Sequence, residues 1–411
     1  MKKINTDILI IGAGPSGMVA AGYLESHQAS ILVLEKQKFP RFTIGESLIP
    51  RCMDNLEEAG FIEVLKKEGF QKKYGARFLR GSETAEFDFS KKFGNGWDWT
   101  WQVPRADFDK VLSDHIISRG VDVRFETEVT SVSRTNGFWE VAAEDISGEQ
   151  FEIYCKFIID SSGNGRVLAR QLDLEAPPKI YDHSSIFTHI KEEGRPEGIE
   201  GEQISFEVLN TETWFWYIPF SNGDSSLGFV GPNSWFEKFK GDRDEVFKEM
   251  LLQTEYYKGR FDEYPFKFKP SQIRNISKNV KYIHGDGFAL TGNSAEFLDP
   301  VFSSGVAFAT ESGLLSAKLA LREINGENVD WETEYSDYIK KGVNVFSTYV
   351  KEWYSGKLQD IFFHPHPNPQ IKEQICAVLA GYVWDSRNPF VRNHSRIIEN
   401  LYKLIQQEKI V

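Results

Sequence analysis

The stretch Asp7–Lys36, DILIIGAGPSGMVAAGYLESHQASILVLEK, decides the fold. Its first apolar run, Ile8 to Ile11, shows no alternation and ends at a glycine, the pattern of a parallel strand buried on both faces. Gly12, Gly14 and Gly17 follow in G-x-G-x-x-G spacing. The first permits a tight turn, the second lets backbone approach a pyrophosphate, and the third lets the next helix lie close to the strand. Met18 to Glu25 continues as a helix, with Pro15 and Ser16 leading into it, so its first amides and its dipole would face the phosphates. A second apolar run, Ile31 to Leu34, delivers Glu35 and Lys36 to the place where an acidic side chain can accept bonds from a ribose diol. Strand, glycines, helix, strand and acid in this order predict a dinucleotide site in an α/β, Rossmann-like domain.

The remaining composition narrows what such a domain serves. With 411 residues the chain can bury a large core in two or three lobes. A net charge of −12 excludes a nucleic-acid partner, because a phosphate-binding face needs a basic excess. Aromatic residues make up 14% of the chain, with 10 Trp, and that excess needs flat surfaces to pack on, such as a flavin or an aromatic substrate. Cys52, Cys155 and Cys376 lie far apart, without C-x-x-C spacing, and read as reduced, buried thiols of a cytoplasmic protein. The start MKKINTD leads directly into the first strand and leaves no room for a signal peptide, and no apolar run approaches a membrane span. No metal-ligand spacing stands out, and His364 and His366 in the loop HPHPNP read as exposed.

Beyond Glu35, the segment KQKFPRFTIGESLIP is broken by Pro40, Gly45 and Pro50 and reads as a loop carrying Arg41, Glu46 and Ser47. Cys52 to Lys67 reads as one amphipathic helix closed by Gly69. Lys73 to Leu79 and Thr84 to Phe89 read as partner strands, and GNGWDWTW (94–101) as an aromatic loop leading to Arg105 at a helix entrance. Strands are expected at 121–125, 129–133, 138–143 and 151–160, the last running into Asp160 and Gly163. Alternating strands follow from about 180 to 275. Then GFALTGNSA (287–295) gives a buried strand and a glycine turn containing Gly292 and Asn293, with a helix after Pro300.

Three segments resemble the flavin-dependent halogenases. F-P-R-x-x-x-G-E-S-L-x-P at 39–50 resembles a loop of that family and of its hydroxylase and geranylgeranyl reductase relatives. Trp214-Phe215-Trp216-Tyr217-Ile218-Pro219 is similar to the halogenase run W-x-W-x-I-P, and Phe297 to Gly305 (FLDPVFSSG) to its F-x-x-P-x-x-S-x-G. Lys73, in K-Y-G-A-R-F, stands where family members carry the lysine that holds or carries the oxidised halogen.

The resemblance implies an FAD-binding domain of the aromatic hydroxylase type, discontinuous over 1–70, 102–180 and 276–330. An antiparallel-sheet substrate domain is implied at 71–101 and 181–275, and a helical C-terminal cap at 331–411. FAD is expected on Gly12, Gly14, Pro15, Ser16, Gly17, Glu35, Lys36, Arg41, Gly45, Glu46, Ser47, Arg105, Val129, Asp160, Gly163, Gly292, Asn293, Pro300, Gly305 and Val306. The catalytic set is Lys73, Trp214, Trp216 and Ser303. Two indoles at i and i+2 share one face of a strand, where they would wall the flavin off from substrate. Amides near Pro300 and Gly305 would suit a halide or the reduced flavin ring.

Asn293 departs from the aspartate of the hydroxylases. The glutamate that tryptophan halogenases place beside the indole is not found, which favours a phenolic, pyrrolic or carrier-tethered aromatic substrate. A single dinucleotide fingerprint implies no separate nicotinamide domain, so that external reduced flavin, a separate flavin reductase or transient nicotinamide contact would supply the electrons. The implied activity is halogenation through a flavin C4a-hydroperoxide. A monooxygenase or a dehydrogenase/reductase of the geranylgeranyl reductase type stays open beside it, as does a non-catalytic flavin binder.

Overall fold

The computed structural model describes residues 2–178, 183–296 and 298–408. Phe297, the first residue of the FLDPVFSSG segment, and the 180/181 boundary of the expected domains lie outside the described residues. Among the described residues, a six-stranded sheet runs in the order His284–Gly285, Phe288–Leu290, Phe157–Asp160, Ile8–Ile11, Ile31–Leu34, Asp122–Arg124. It is parallel apart from the outer 284–290 hairpin. Ile8 to Ile11 are all buried, which explains an apolar run without alternation.

The glycine fingerprint sits at the carboxyl end of that central strand. Gly12 takes φ +104°, and a Cβ on Gly17 would stand 2.0 Å from the Gly12 carbonyl oxygen. The helix Pro15–Ser26 therefore lies directly on the strand. The long helix Gly305–Ile324 packs on its other side, where a Cβ at Gly313 would stand 2.4 Å from the Ser16 carbonyl oxygen.

A second sheet has seven strands, in the order Ser271–Ile273, His183–Lys191, Asp224–Pro232, Thr213–Pro219, Ser205–Asn210, Gly75–Arg80, Glu83–Asp88. Its strand Thr213–Pro219 alternates cleanly. Trp214, Trp216 and Ile218 enter the main core, while Phe215 and Tyr217 enter a second apolar cluster with Phe229, Tyr257 and Phe261. The stretch 71–101 divides between two sheets: Gln71–Lys73 leaves the seven-stranded sheet and pairs with Thr100–Gln102 as a short ribbon. A four-stranded sheet (Lys2–Asn5, Gln150–Cys155, Phe138–Asp145, Thr127–Thr135) flanks the nucleotide side. Helices Tyr338–Tyr354, Lys357–Phe362, Pro369–Leu379 and His394–Glu408 occupy the C-terminal part, with Trp353 tilted against Phe78 and Phe362 edge-on to it at ring separations of 5.4 and 5.1 Å.

Three local expectations are corrected. Residues 52–67 form two helices, Arg51–Glu58 and Ile62–Lys67, because Gly60 turns the chain at φ +83°. The expected strand 151–160 is two strands in different sheets, parted at Lys156, whose amide bonds the Asp7 carbonyl. After Pro300 comes a short turn, Pro300–Phe302, and the long helix begins only at Gly305. Among the described residues no helix is long and apolar enough to cross a membrane.

Candidate functional site

A cavity of about 800 Å3 runs between the two large sheets and unites segments from both halves of the chain. At one end Glu35, Lys36 and Val129 line it. The Glu35 carboxylate accepts from the Ala13 amide (2.9 Å) and the Gln37 amide (2.8 Å), which fixes it at the strand end. Lys36 faces Glu128 at 2.6 Å. Next come Gly12, Gly14, Pro15 and Ser16 at the start of a helix that no side chain caps, so its first amides remain for an anion. A Cβ on Gly14 would meet nothing nearer than the Arg41 guanidinium, at 3.7 Å. Gly163, Gly292 and Asn293 form the facing wall.

The other end is built from Gly45, Glu46, Ser47, Arg105, Trp214, Trp216, Pro300, Ser303, Gly305 and Val306. Arg105 opens the helix Arg105–Ser118 and donates to the carbonyls of Ile44 (3.2 Å) and Gly45 (3.3 Å). It also holds Asp109 through two bonds, of 2.8 and 3.0 Å, while Arg41 reaches the same carboxylate at 3.2 Å. Asp109 is fully buried, so two cations share one buried acid and pin the 41–47 loop to this helix. Asp299 accepts from the Val301 amide and caps the 300–302 turn.

Lys73 stands just behind this wall. It is 1% exposed, and its ammonium donates to the Ser47 hydroxyl and the Leu48 carbonyl, both at 2.8 Å. The Ser303 hydroxyl lies 3.3 Å from that of Ser47, which links Lys73 to the 300–305 turn. Burial pushes the lysine down to about 7, opposed weakly by the nearby Cys52 thiol. The two indoles line the cavity with ring centroids 6.0 Å apart. Trp214 donates to the Tyr354 hydroxyl (3.0 Å), and Tyr354 donates to Asp299 (2.9 Å). Trp216 donates to Ser226 (3.1 Å) and lies over Gly228, where a Cβ would fall 2.2 Å from its ring.

Of the residues singled out in the sequence, Gly17, Asp160 and Lys73 do not line the cavity. Gly17 serves helix-on-strand contact. Asp160, expected at the cofactor, is fully buried and accepts from the amides of Ser162 and Leu168, holding the turn that carries Gly163. Burial raises its carboxyl above the ordinary range, against those bonds. Sequence reasoning missed Asp109, Asp299 and Tyr354. Only Asp109 left a trace, as an acid at i+4 from Arg105.

A second cavity, of about 1010 Å3, opens across the Gln71–Lys73 strand. Lys72, Tyr74, Phe87, Trp99, Ile199, Pro369 and Cys376 are among its walls.

An elongated cavity with an acid at one end, an uncapped helix start in the middle and an aromatic wall at the other fits FAD. Comparison with known proteins gives the same cofactor. The model of the FAD binding domain family matches residues 5–321. A 1H-pyrrole-2-carbonyl-[peptidyl-carrier protein] chlorinase of Pseudomonas fluorescens is 26% identical over 97% of this chain and 94% of its own length. A flavoprotein/dehydrogenase structure from Cytophaga hutchinsonii is 46% identical, covers 98% of this chain and 100% of that one, and superposes with a TM-score of 0.96. A flavin-dependent brominase shares the fold at 23% identity and a TM-score of 0.84, over 98% of this chain and 100% of that one. The chain belongs to the FAD binding domain family, is an FAD-dependent oxidoreductase, and is similar over most of its length to flavin-dependent halogenases.

Proposed function

We propose that the chain halogenates an electron-rich aromatic substrate, with Lys73 as the group that receives the oxidised halogen. FAD held in the cavity would supply the oxidising chemistry. The chain's own residues then have three tasks. Arg41, Arg105 and Asp109 fix the loop that covers the cofactor. Trp214 and Trp216 deny an organic substrate direct access to the ring end, so that only a small species leaves the cavity. Lys73 accepts it through the Ser47–Ser303 contact, and an acceptor ring approaches through the second cavity beside Lys72 and Tyr74.

The observation that carries this reading is the buried Lys73 amine, held at about 7 one hydroxyl away from the cofactor cavity. A neutral amine can hydrogen-bond hypohalous acid or form a haloamine, which a permanently charged arginine cannot. A free phenol, a pyrrole or a carrier-bound ring would each suit this scheme, with halide and a flavin reductase as further partners. A reductase reading keeps one support, the 46% identity to a protein described as a flavoprotein/dehydrogenase.

The test is product analysis by mass spectrometry with reduced FAD, oxygen and bromide, beside a flavin-oxidation trace. Lys73→Ala should lose halogenated product while flavin oxidation continues. Retained halogenation in that variant rejects the role of Lys73. Hydroxylated product from the unaltered chain rejects halogenation, and flavin reduction by a nicotinamide that an isoprenoid substrate accelerates favours the reductase.

A further inference from the structure

Tyr354 ends the helix Tyr338–Tyr354, in the region expected only as a C-terminal cap, yet its hydroxyl reaches the wall of the FAD cavity. It accepts from the Trp214 indole N–H at 3.0 Å and donates to Asp299 Oδ2 at 2.9 Å. Asp299 Oδ1 accepts from the Val301 amide at 3.0 Å and so closes the turn Pro300–Phe302. His183 Nδ1 stands 3.1 Å from Asp299 Oδ2, and its ring centroid lies 4.3 Å from that of Tyr354. All four side chains are buried. Trp214 and Pro300 both line the cavity, so one hydroxyl from the C-terminal helix joins two pieces of its wall. Trp216 is held differently, within its own sheet, by Ser226 on the adjoining strand at 3.1 Å.

A phenol has one proton to give. Here it goes to the Asp299 carboxylate, so the oxygen faces the indole as an acceptor, and the order Trp214 N–H, Tyr354 O–H, Asp299 is fixed. A bond to a carboxylate is of the strong kind, and it polarises the phenol toward accepting the second bond. An indole held by ring contacts alone can tilt, whereas a bonded N–H fixes its plane. We propose that Tyr354 is a positioning residue for the flavin end of the cavity. It sets the Trp214 indole and the 300–305 turn against each other. The C-terminal helix, and not the two sheets alone, thereby keeps bulky organic molecules from the flavin ring. The proposal rests on the indole wall and holds whatever group the enzyme transfers.

Protein loaded with FAD is reduced in the absence of oxygen and mixed in stopped flow with oxygen or with dichloroindophenol, a bulky dye. Each takes two electrons and the accompanying protons from the reduced flavin. Tyr354→Phe is expected to speed reduction of the dye about fivefold, the worth of one hydrogen bond, and to change the oxygen rate less than about twofold. In a Trp214→Ala background, with no indole left to hold, the same change should alter the dye rate less than about twofold. A purely structural tyrosine would lower the melting temperature and leave the ratio of the two rates unmoved. That outcome overturns the proposal, as do equal effects in both backgrounds. If Trp214→Ala itself leaves the dye rate unchanged, the wall is refuted and the role of Tyr354 falls with it. A faster dye rate in Trp214→Ala beside an unmoved ratio in Tyr354→Phe refutes Tyr354 alone. Should Tyr354→Phe lose FAD, Trp214→Phe cuts the same bond from the other side. A dye rate raised about twofold or more with FAD retained then supports the proposal, and an unchanged rate overturns it.

Discussion

At the nucleotide end of the cavity, Gly12 to Ser16, Glu35 and Lys36 come from one run of chain, and a strand, a turn and a helix place them without help. At the ring end, Gly45 to Ser47, Arg105, Trp214, Trp216 and Ser303 come from separate elements and meet only because two sheets close on each other. The first end is held by backbone geometry. The second is held by side chains that hold one another, through Asp109, Asp299, Tyr354 and Lys73. Substitutions at the first end should therefore act singly and locally, whereas those at the second should spread through shared partners.

The largest expected effect sharpens this contrast within one motif. Gly14 has φ −72°, and a Cβ there would make only an ordinary contact with the Arg41 guanidinium at 3.7 Å, so Gly14→Val should fold and melt like the unaltered chain yet bind FAD about 100-fold or more weakly. Gly17→Ala should do the reverse damage, because its Cβ would meet the Gly12 carbonyl oxygen at 2.0 Å. FAD retention and melting temperature, measured together, separate the two. Full FAD occupancy in a folded Gly14→Val protein would break the assignment of this end.

Lys73→Met probes the ring end through stability. Burial holds the amine at about 7 against an ordinary 10.5, a cost on the order of 4 kcal/mol at neutral pH. Below pH 7 folded and unfolded chains both carry the charge, and the penalty is complete. As pH rises from about 7 to 10.5 the unfolded chain keeps a proton that the folded chain has lost, and the penalty fades. Lys73→Met should therefore raise the melting temperature clearly at pH 7 and hardly at all near pH 10.5. An equal gain at both would show that the amine is not held neutral by burial.

The smallest effect belongs to Trp214→Phe. It keeps an aromatic wall but removes the indole hydrogen bond to the Tyr354 hydroxyl, at a cost of about 1 kcal/mol. FAD should be retained and product should fall only modestly. Complete loss of product at unchanged stability would mean that the indole does more than block the path.

The sequence by itself determined the strand–glycine–helix–strand–acid unit, because each of its requirements is local: a turn, a close approach, a helix start, a strand end. It also determined the alternation at 214–218 that sends both indoles to one side, since the strand period is fixed. It misjudged 52–67 and 151–160, where apolar patterning continues across a break that one glycine, or a change of sheet partner at Lys156, imposes. Only the tertiary structure decided that the Asp160 carboxylate accepts from the amides of its own turn, that Asp109 gathers two arginines, and that Lys73 points to Ser47, which Ser303 also contacts. These are contacts between residues distant in the chain or facing choices at a strand end, and their energy depends on burial and on partners that no spacing along the sequence encodes.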